Sequence, residues 1–239
     1  MLETRPFRVI ANVPIALETS LITLAPDDEK PVFSFHAGQW VGVKLPHDPI
    51  PTRRTVAFSI ASAPIESTHA IELAIKVYGS FSRMMQTLNI GDRVILHGPF
   101  GVFTLQKDAQ RIVYFAGGIG VTPLRSLIRH MLLTDDAREI ILFYSNRTPN
   151  STAFEDEFRA LAETHKQFKP IFLYTGEARD GWIGEMGRID RAIFDRHVPD
   201  VANAEFYMCG PRPFMETVSQ ILIDRGVDIK TKLHRELFG

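Results

Sequence analysis

Two short runs in this chain carry residue types suited to gripping a ligand. The first is Tyr114-Phe115-Ala116-Gly117-Gly118-Ile119-Gly120-Val121-Thr122-Pro123. Apolar residues lead into three glycines, and glycine lets backbone amides approach a ligand that a Cβ would hold off. Thr122 is placed to cap a helix and Pro123 to fill its first position. Amides at a helix start, carrying roughly half a positive charge, favour an anionic group such as a pyrophosphate. The pattern is GGxGxTP and departs from the GxGxxG fingerprint of standard dinucleotide folds. A tight strand-to-helix turn without a ligand is the competing reading. The second run, Tyr207-Met208-Cys209-Gly210-Pro211, ends an apolar strand on the chain's only cysteine. The carboxyl end of a strand is where open α/β sheets place their ligand crevice.

Such runs need elements to present them. Up to about residue 105 the chain reads as strand after strand: Phe7 to Val13, Ala16 to Leu24, Gln39 to Leu45, Val56 to Ser62, Ile71 to Val77 and Arg93 to His97. Turn formers such as Pro26-Asp27-Asp28 and Gly91-Asp92 separate them, and one short helix fits Phe81 to Leu88. Six short strands without helical crossovers predict an antiparallel Greek-key barrel. After Gly98-Pro99-Phe100-Gly101 the texture alternates. Strands are predicted at Arg111 to Ala116, Ile140 to Tyr144, Lys169 to Tyr174, Phe206 to Cys209 and Ile229 to Leu233. Helices are predicted at Thr122 to Leu133, Phe154 to His165 and Arg212 to Arg225. Alternation of this kind predicts a doubly wound parallel sheet. Two domains are expected, residues 1–105 and 106–239.

Composition narrows the function classes. With 45% hydrophobic and 23% charged residues the 239-residue chain has the make-up of a soluble globular protein. A net charge of -1 gives no reason to expect nucleic acid. MLETRPFRVI does not read as a secretory signal, and no apolar run reaches the ~18 residues of a membrane span, so a cytoplasmic location is expected. One cysteine cannot supply the about four thiolates of an iron–sulfur centre, so any such centre is expected on another molecule. The eight histidines form no ligand motif, and no metal site is expected. Glu155-Asp156-Glu157 reads as a solvated helix start. Lys230, Lys232, His234 and Arg235 read as a basic edge that could meet an acidic partner, or simply as solvated charge.

Several segments, in order, resemble the ferredoxin–NADP reductase family of flavoproteins. Phe58-Ser59-Ile60-Ala61-Ser62 resembles that family's flavin strand, R-x-Y/F-S-x-x-S, and Gly79-Ser80-Phe81-Ser82 its G-x-x-S motif. Gly91-Asp92-Arg93-Val94 and Gly98-Pro99-Phe100-Gly101 follow at familiar places. The GGxGxTP turn and the Cys209-Gly210-Pro211 run match its pyridine-nucleotide motifs, and Glu236-Leu237-Phe238-Gly239 its E-x-aromatic ending. One departure stands out: Val56 takes the slot of the family's arginine, leaving Arg54 or Arg53 to hold the flavin phosphate.

The resemblance implies a bound FAD, or less expectedly FMN, with NADPH or NADH as co-substrate. Phe58 and Phe238 would cover the two faces of the flavin ring, and Ser59 would hydrogen-bond near its N5. Ile60, Ser62, Gly79, Ser80 and Ser82 would complete the flavin site. Cys209 would lie by C4 of the nicotinamide, positioning it without a covalent step, and Glu236 would dock it or relay a proton. Gly117, Gly118, Gly120, Thr122, Pro123, Gly210 and Pro211 would hold the rest of the nucleotide. Ser145 and Arg147, which follow a predicted strand, offer a hydroxyl and a guanidinium to a 2′-phosphate and tilt the expectation to NADPH. The expected activity is reduction of a separate electron-acceptor protein, a ferredoxin or a flavodoxin-like carrier. Direct reduction of free flavin or a ferric chelate is one alternative, and an electron-transfer subunit of a larger complex another.

Overall fold

The computed structural model describes residues 2–46, 55–106, 109–178 and 180–237. They form two compact units: residues 1–105 with 125–134, and residues 106–124 with 135–239.

The first unit is built on β1 (Glu3–Ala16), β2 (Thr19–Pro26), β3 (Trp40–Lys44), β4 (Val56–Ser59), β5 (Ile71–Lys76), the helix α1 (Ser80–Gln86) and β6 (Arg93–Phe100). These strands make a six-stranded antiparallel sheet in the order β4-β3-β6-β1-β2-β5. Strand alternation turns Phe7, Val9, Ile22, Leu24, Val41, Val43, Leu73 and Ile75 into one core. β4 stops three residues short of the predicted Ser62. The reason is sheet closure. Ile60 N–H still bonds to Gln39 O just ahead of β3, but Ala61 N–H bonds to Glu72 O of β5 at 2.7 Å. The chain thus leaves one edge of the sheet and meets the other.

The second unit contains β7 (Arg111–Gly117), the first turn of α2 (Val121–Leu133), β8 (Glu139–Asn146), α3 (Glu155–Thr164), β9 (Phe168–Tyr174), β10 (Glu185–Met186), α4 (Arg191–His197), β11 (Ala204–Cys209), α5 (Arg212–Asp224) and β12 (Leu233–Glu236). All five strand pairs are parallel, in the order β10-β9-β8-β7-β11-β12. Strands covered on both faces are apolar nearly throughout, as in Ile140-Ile141-Leu142-Phe143-Tyr144. One face meets Ile193 and Phe194 of α4 and Val218 and Leu222 of α5. On the other, Phe158 of α3 lies edge-on to Tyr144 at 6.2 Å.

Several expectations need correction. α4 and β10 have no counterpart in the sequence reading, although Asp190 caps α4 by accepting from Ile193 N–H at 2.8 Å. The last strand begins at Leu233, where the sequence reading ends it, because residues 228–232 form a turn closed by Lys232 N–H to Asp228 O. Helix α2 starts at Val121, so Thr122 is not its cap and Pro123 not its first residue; the Thr122 hydroxyl donates to Ile119 O at 2.8 Å. Glu155 is buried and accepts from the Tyr174 hydroxyl at 2.6 Å, so the acidic run is not wholly solvated.

Candidate functional site

In the second unit the strand order turns at β7, which has β8 on one side and β11 on the other. Open parallel sheets bind ligands at such a reversal, beyond the carboxyl ends of the strands. Both nucleotide motifs arrive there. Gly117 ends β7 with Ser145 beside it, and Cys209 ends β11 between Ala116 and Glu236. Register therefore puts Ala116, Cys209 and Glu236 in one row, with Gly117 and Ser145 one residue beyond it. Arg147 follows in an exposed position, with its carbonyl accepting from Gly176 N–H.

The glycines divide by task. A Cβ on Gly120 would fall 2.2 Å from Cys209 O, and one on Gly210 2.9 Å from Gly117 Cα. A Cβ on Gly117 would meet Pro211 Cδ at 2.8 Å. These three residues let the two motif turns pack backbone on backbone. Gly118 differs: its φ of +55° suits glycine, and nothing lies within 4 Å of where its Cβ would point. Cys209 is fully buried. Burial, reinforced by the Glu236 carboxylate, pushes its thiol well above the ordinary value. It stays neutral near pH 7, a small polarisable wall and a poor nucleophile.

In the first unit, Phe58 stacks on Phe81 of α1 with ring centroids 6.1 Å apart, which joins β4 to the Gly79-Ser80-Phe81-Ser82 turn. Ser59 is buried at the end of β4, opposite Trp40. Ile60 is fully buried. Two serines expected at a ligand are engaged by the fold itself. Ser62 Oγ accepts from Glu72 N–H at 3.1 Å, with Ser67 Oγ 2.8 Å away. Ser82 Oγ accepts from the amides of Tyr78 and Gly79 at 2.9 and 3.1 Å. Gly79 has an extended φ of −165° that any residue adopts, yet its missing Cβ leaves open space. Val56, in the family's arginine slot, packs against the hydrophobic core. Arg53, Arg54 and Phe238 lie outside the described residues.

A set of residues the sequence reading passed over holds the turn after β4. Arg125 Nη1, on a side chain 6% exposed, donates to Ala61 O at 3.0 Å and to Glu72 Oε2 at 2.6 Å. The buried Ser126 hydroxyl donates to Ser62 O at 2.7 Å. Arg129 grips both oxygens of Glu66 at 2.8 and 2.5 Å, while Glu66 Oε1 caps Ala63 N–H. All belong to the first unit, which includes residues 125–134. Their signal in the sequence is faint: Arg and Ser at positions 125, 126 and 129 of an otherwise apolar helix look like its solvated stripe. In the basic edge, Lys232 and His234 both turn to the buried Glu205, at 2.7 and 2.8 Å. Among the described residues no group of His, Cys, Asp and Glu could hold a metal, and no helix is long and apolar enough to cross a membrane.

Comparison with known proteins agrees with this architecture. Residues 6–105 match the family described as oxidoreductase FAD-binding domain, and residues 115–220 that described as oxidoreductase NAD-binding domain. The chain thus joins an oxidoreductase FAD-binding domain to an oxidoreductase NAD-binding domain, in the fold of the ferredoxin-reductase type. It is 30% identical to the glycine betaine monooxygenase reductase subunit of Chromohalobacter salexigens, over 89% of this chain and 58% of that protein. It is 29% identical to the propane 2-monooxygenase reductase component of Rhodococcus jostii, over 92% of this chain and 60% of that one. The chain thus spans about three-fifths of the length of these relatives. The flavohem-like FAD/NAD-binding domain of nitric oxide dioxygenase from Vibrio cholerae shares the fold, with a TM-score of 0.88 over 98% of both chains at 22% identity. The matches to FAD-binding and NAD-binding domains give the chain both nucleotides, and Gly79 and Gly118 leave the space at their motif turns open.

Proposed function

We propose that this chain draws reducing equivalents from NAD(P)H through FAD and delivers them to a separate electron-acceptor protein. The observation that supports this most is the convergence of Ser145, Gly117, Cys209 and Glu236 at the reversal of the parallel sheet. FAD, when bound, accepts two electrons as hydride and can return them singly. The chain's own part is to bind and orient. The glycine turn, with Thr122, Pro123, Gly210 and Pro211 around it, takes the nicotinamide nucleotide's pyrophosphate. The neutral Cys209 sets the nicotinamide's position, and Glu236 beside it docks the ring or moves a proton. Ser145 and Arg147 take the 2′-phosphate of NADPH. Phe58 covers the flavin ring, Ser59 hydrogen-bonds to it, Ile60 backs the strand behind them, and the Gly79–Ser82 turn, Ser80 included, takes its phosphates. Ser62 and Ser82 serve the site by shaping its two turns.

The acceptor is a one-electron carrier of ferredoxin or flavodoxin type. The relatives named as monooxygenase reductase components support a separate acceptor protein without naming a ferredoxin or flavodoxin. The test is an absorption spectrum of the purified protein followed by anaerobic titration with NADH and NADPH. A yellow protein that bleaches is expected, and colourless protein unable to take up FAD would sink the reading. Arg147→Ala should lower the preference for NADPH over NADH by about tenfold. An unchanged ratio removes Arg147 from the site. Faster reduction of free flavin or ferric chelate than of any protein carrier would replace the proposed acceptor.

A further inference from the structure

The turn after β4 presents a problem that the chain solves in an unusual place. Ile60, Ala61 and Ser62 are buried but no longer part of β4, so their carbonyls lose the ladder partners a continuing strand would provide. Two of those carbonyls are met from helix α2. Arg125 reaches Ala61 O and Ser126 reaches Ser62 O, at 3.0 and 2.7 Å. Glu72 completes the arrangement from β5. Its carboxylate takes Arg125 at 2.6 Å, its N–H donates to Ser62 Oγ, and its C=O accepts from Ala61 N–H. Burying a guanidinium is a costly way to fill space, because a hydrophobic side chain of similar size packs there without desolvation. What the guanidinium gives that a hydrophobe cannot is direction: one planar nitrogen, Nη1, donating to one carbonyl and one carboxylate at once.

Ala61 follows Ser59 by two residues, and Ser59 is the last residue of the strand that carries Phe58. We propose that Arg125 and Ser126 are positioning residues for the flavin. By fixing the carbonyls of Ala61 and Ser62 they set where β4 ends, and with it the placement of Phe58 and Ser59. This rests on the reading that the first unit binds FAD through that strand. Both side chains are buried in the fold. Arg125 and Ser126 act on the backbone, and the backbone on the ring-facing side chains.

The test uses the intact chain stripped of FAD and reconstituted. Ser126→Ala removes a single buried hydroxyl, and Arg125→Lys keeps the charge but loses the planar nitrogen that meets both acceptors. Leu127→Ala, on the same helix and facing the Gly38 region, serves as a control that loosens packing without touching the two carbonyls. Three quantities are read for each: the FAD dissociation constant, the visible circular dichroism of bound FAD, and the melting temperature of the apoprotein. Ser126→Ala and Arg125→Lys should weaken FAD binding by about tenfold and alter the visible dichroism, while Leu127→Ala lowers the melting temperature and leaves affinity within about twofold. If Arg125→Lys does not fold, Ser126→Ala decides alone. Unchanged affinity and dichroism in folded Ser126→Ala overturn the proposal. So does an equal weakening in Leu127→Ala, because any loosening of the helix would then suffice. Wild-type protein that takes up no FAD would overturn the flavin reading as well, an outcome distinct from equal affinities across the variants.

Discussion

The two motif-bearing regions are built on opposite plans. In the second unit the motif residues touch one another: Gly120 packs on the Cys209 carbonyl and Gly210 on Gly117, with no intermediary side chain. In the first unit the motif serines Ser62 and Ser82 are engaged by the fold, and the turn that carries Ser62 is held by Arg125, Ser126 and Arg129 from a helix some sixty residues further on. A backbone-on-backbone contact tolerates no added atom. A side-chain network tolerates small changes and answers in degrees. The two regions should therefore fail differently when altered.

The largest contrast is between two glycine-to-alanine changes. Gly120→Ala forces a methyl to 2.2 Å from the Cys209 carbonyl and should cost about 2–4 kcal/mol of stability, with loss of nucleotide binding. Gly79→Ala meets nothing within 4 Å and should stay within about 0.5 kcal/mol of wild type, while weakening FAD about tenfold by filling the ligand's space. Chemical denaturation and FAD titration of both variants check this. Equal stability losses would erase the contrast between the regions.

Cys209→Ala comes next. The residue is fully buried and too confined for a larger replacement, so alanine is the conservative probe. Stopped-flow reduction of the bound flavin should slow about tenfold, with nucleotide affinity changed less than about threefold. Equal losses in the two would leave the cysteine a packing role only.

The smallest effect concerns acid. Burial alone would raise the Glu66 carboxyl, but the bonds from Arg129 and from Ala63 N–H outweigh it and hold the group below its ordinary value of 4.5. A depressed carboxyl contributes stability that is complete above that value and lost as pH falls below it. Between neutrality and about pH 3, wild type should lose about 1 kcal/mol more than Glu66→Gln. Parallel acid limbs for the two proteins would show that the Arg129 grip contributes nothing to the first unit.

Legibility followed the same divide. The parallel sheet was readable because Ile140-Ile141-Leu142-Phe143-Tyr144 and its neighbours are apolar runs broken by helical spacing, and the glycine turn lies in one contiguous stretch. What escaped depends on partners distant in sequence. The register that sets Glu236 against Cys209 comes from β12 starting at Leu233, and a turn over residues 228–232 hides that start among β-prone residues. Ser62 and Ser82 have the composition of ligand contacts, and only their distances to Glu72, Tyr78 and Gly79 reveal the work they do. Arg125 gives no local sign of its role because its partners, Ala61 and Glu72, lie far from it in sequence. Short elements such as α4, at seven residues, give too little periodicity to stand out, although its Asp190 cap was there to be seen.

The contact at Gly120 has one more implication. It is made by the main-chain oxygen of residue 209, and the sulfur takes no part. Identity at that position is thus uncoupled from the geometry of the glycine turn. A designer can exchange that side chain for one no larger while the neighbouring loop keeps its shape, which makes this a tunable position on a rigid mount.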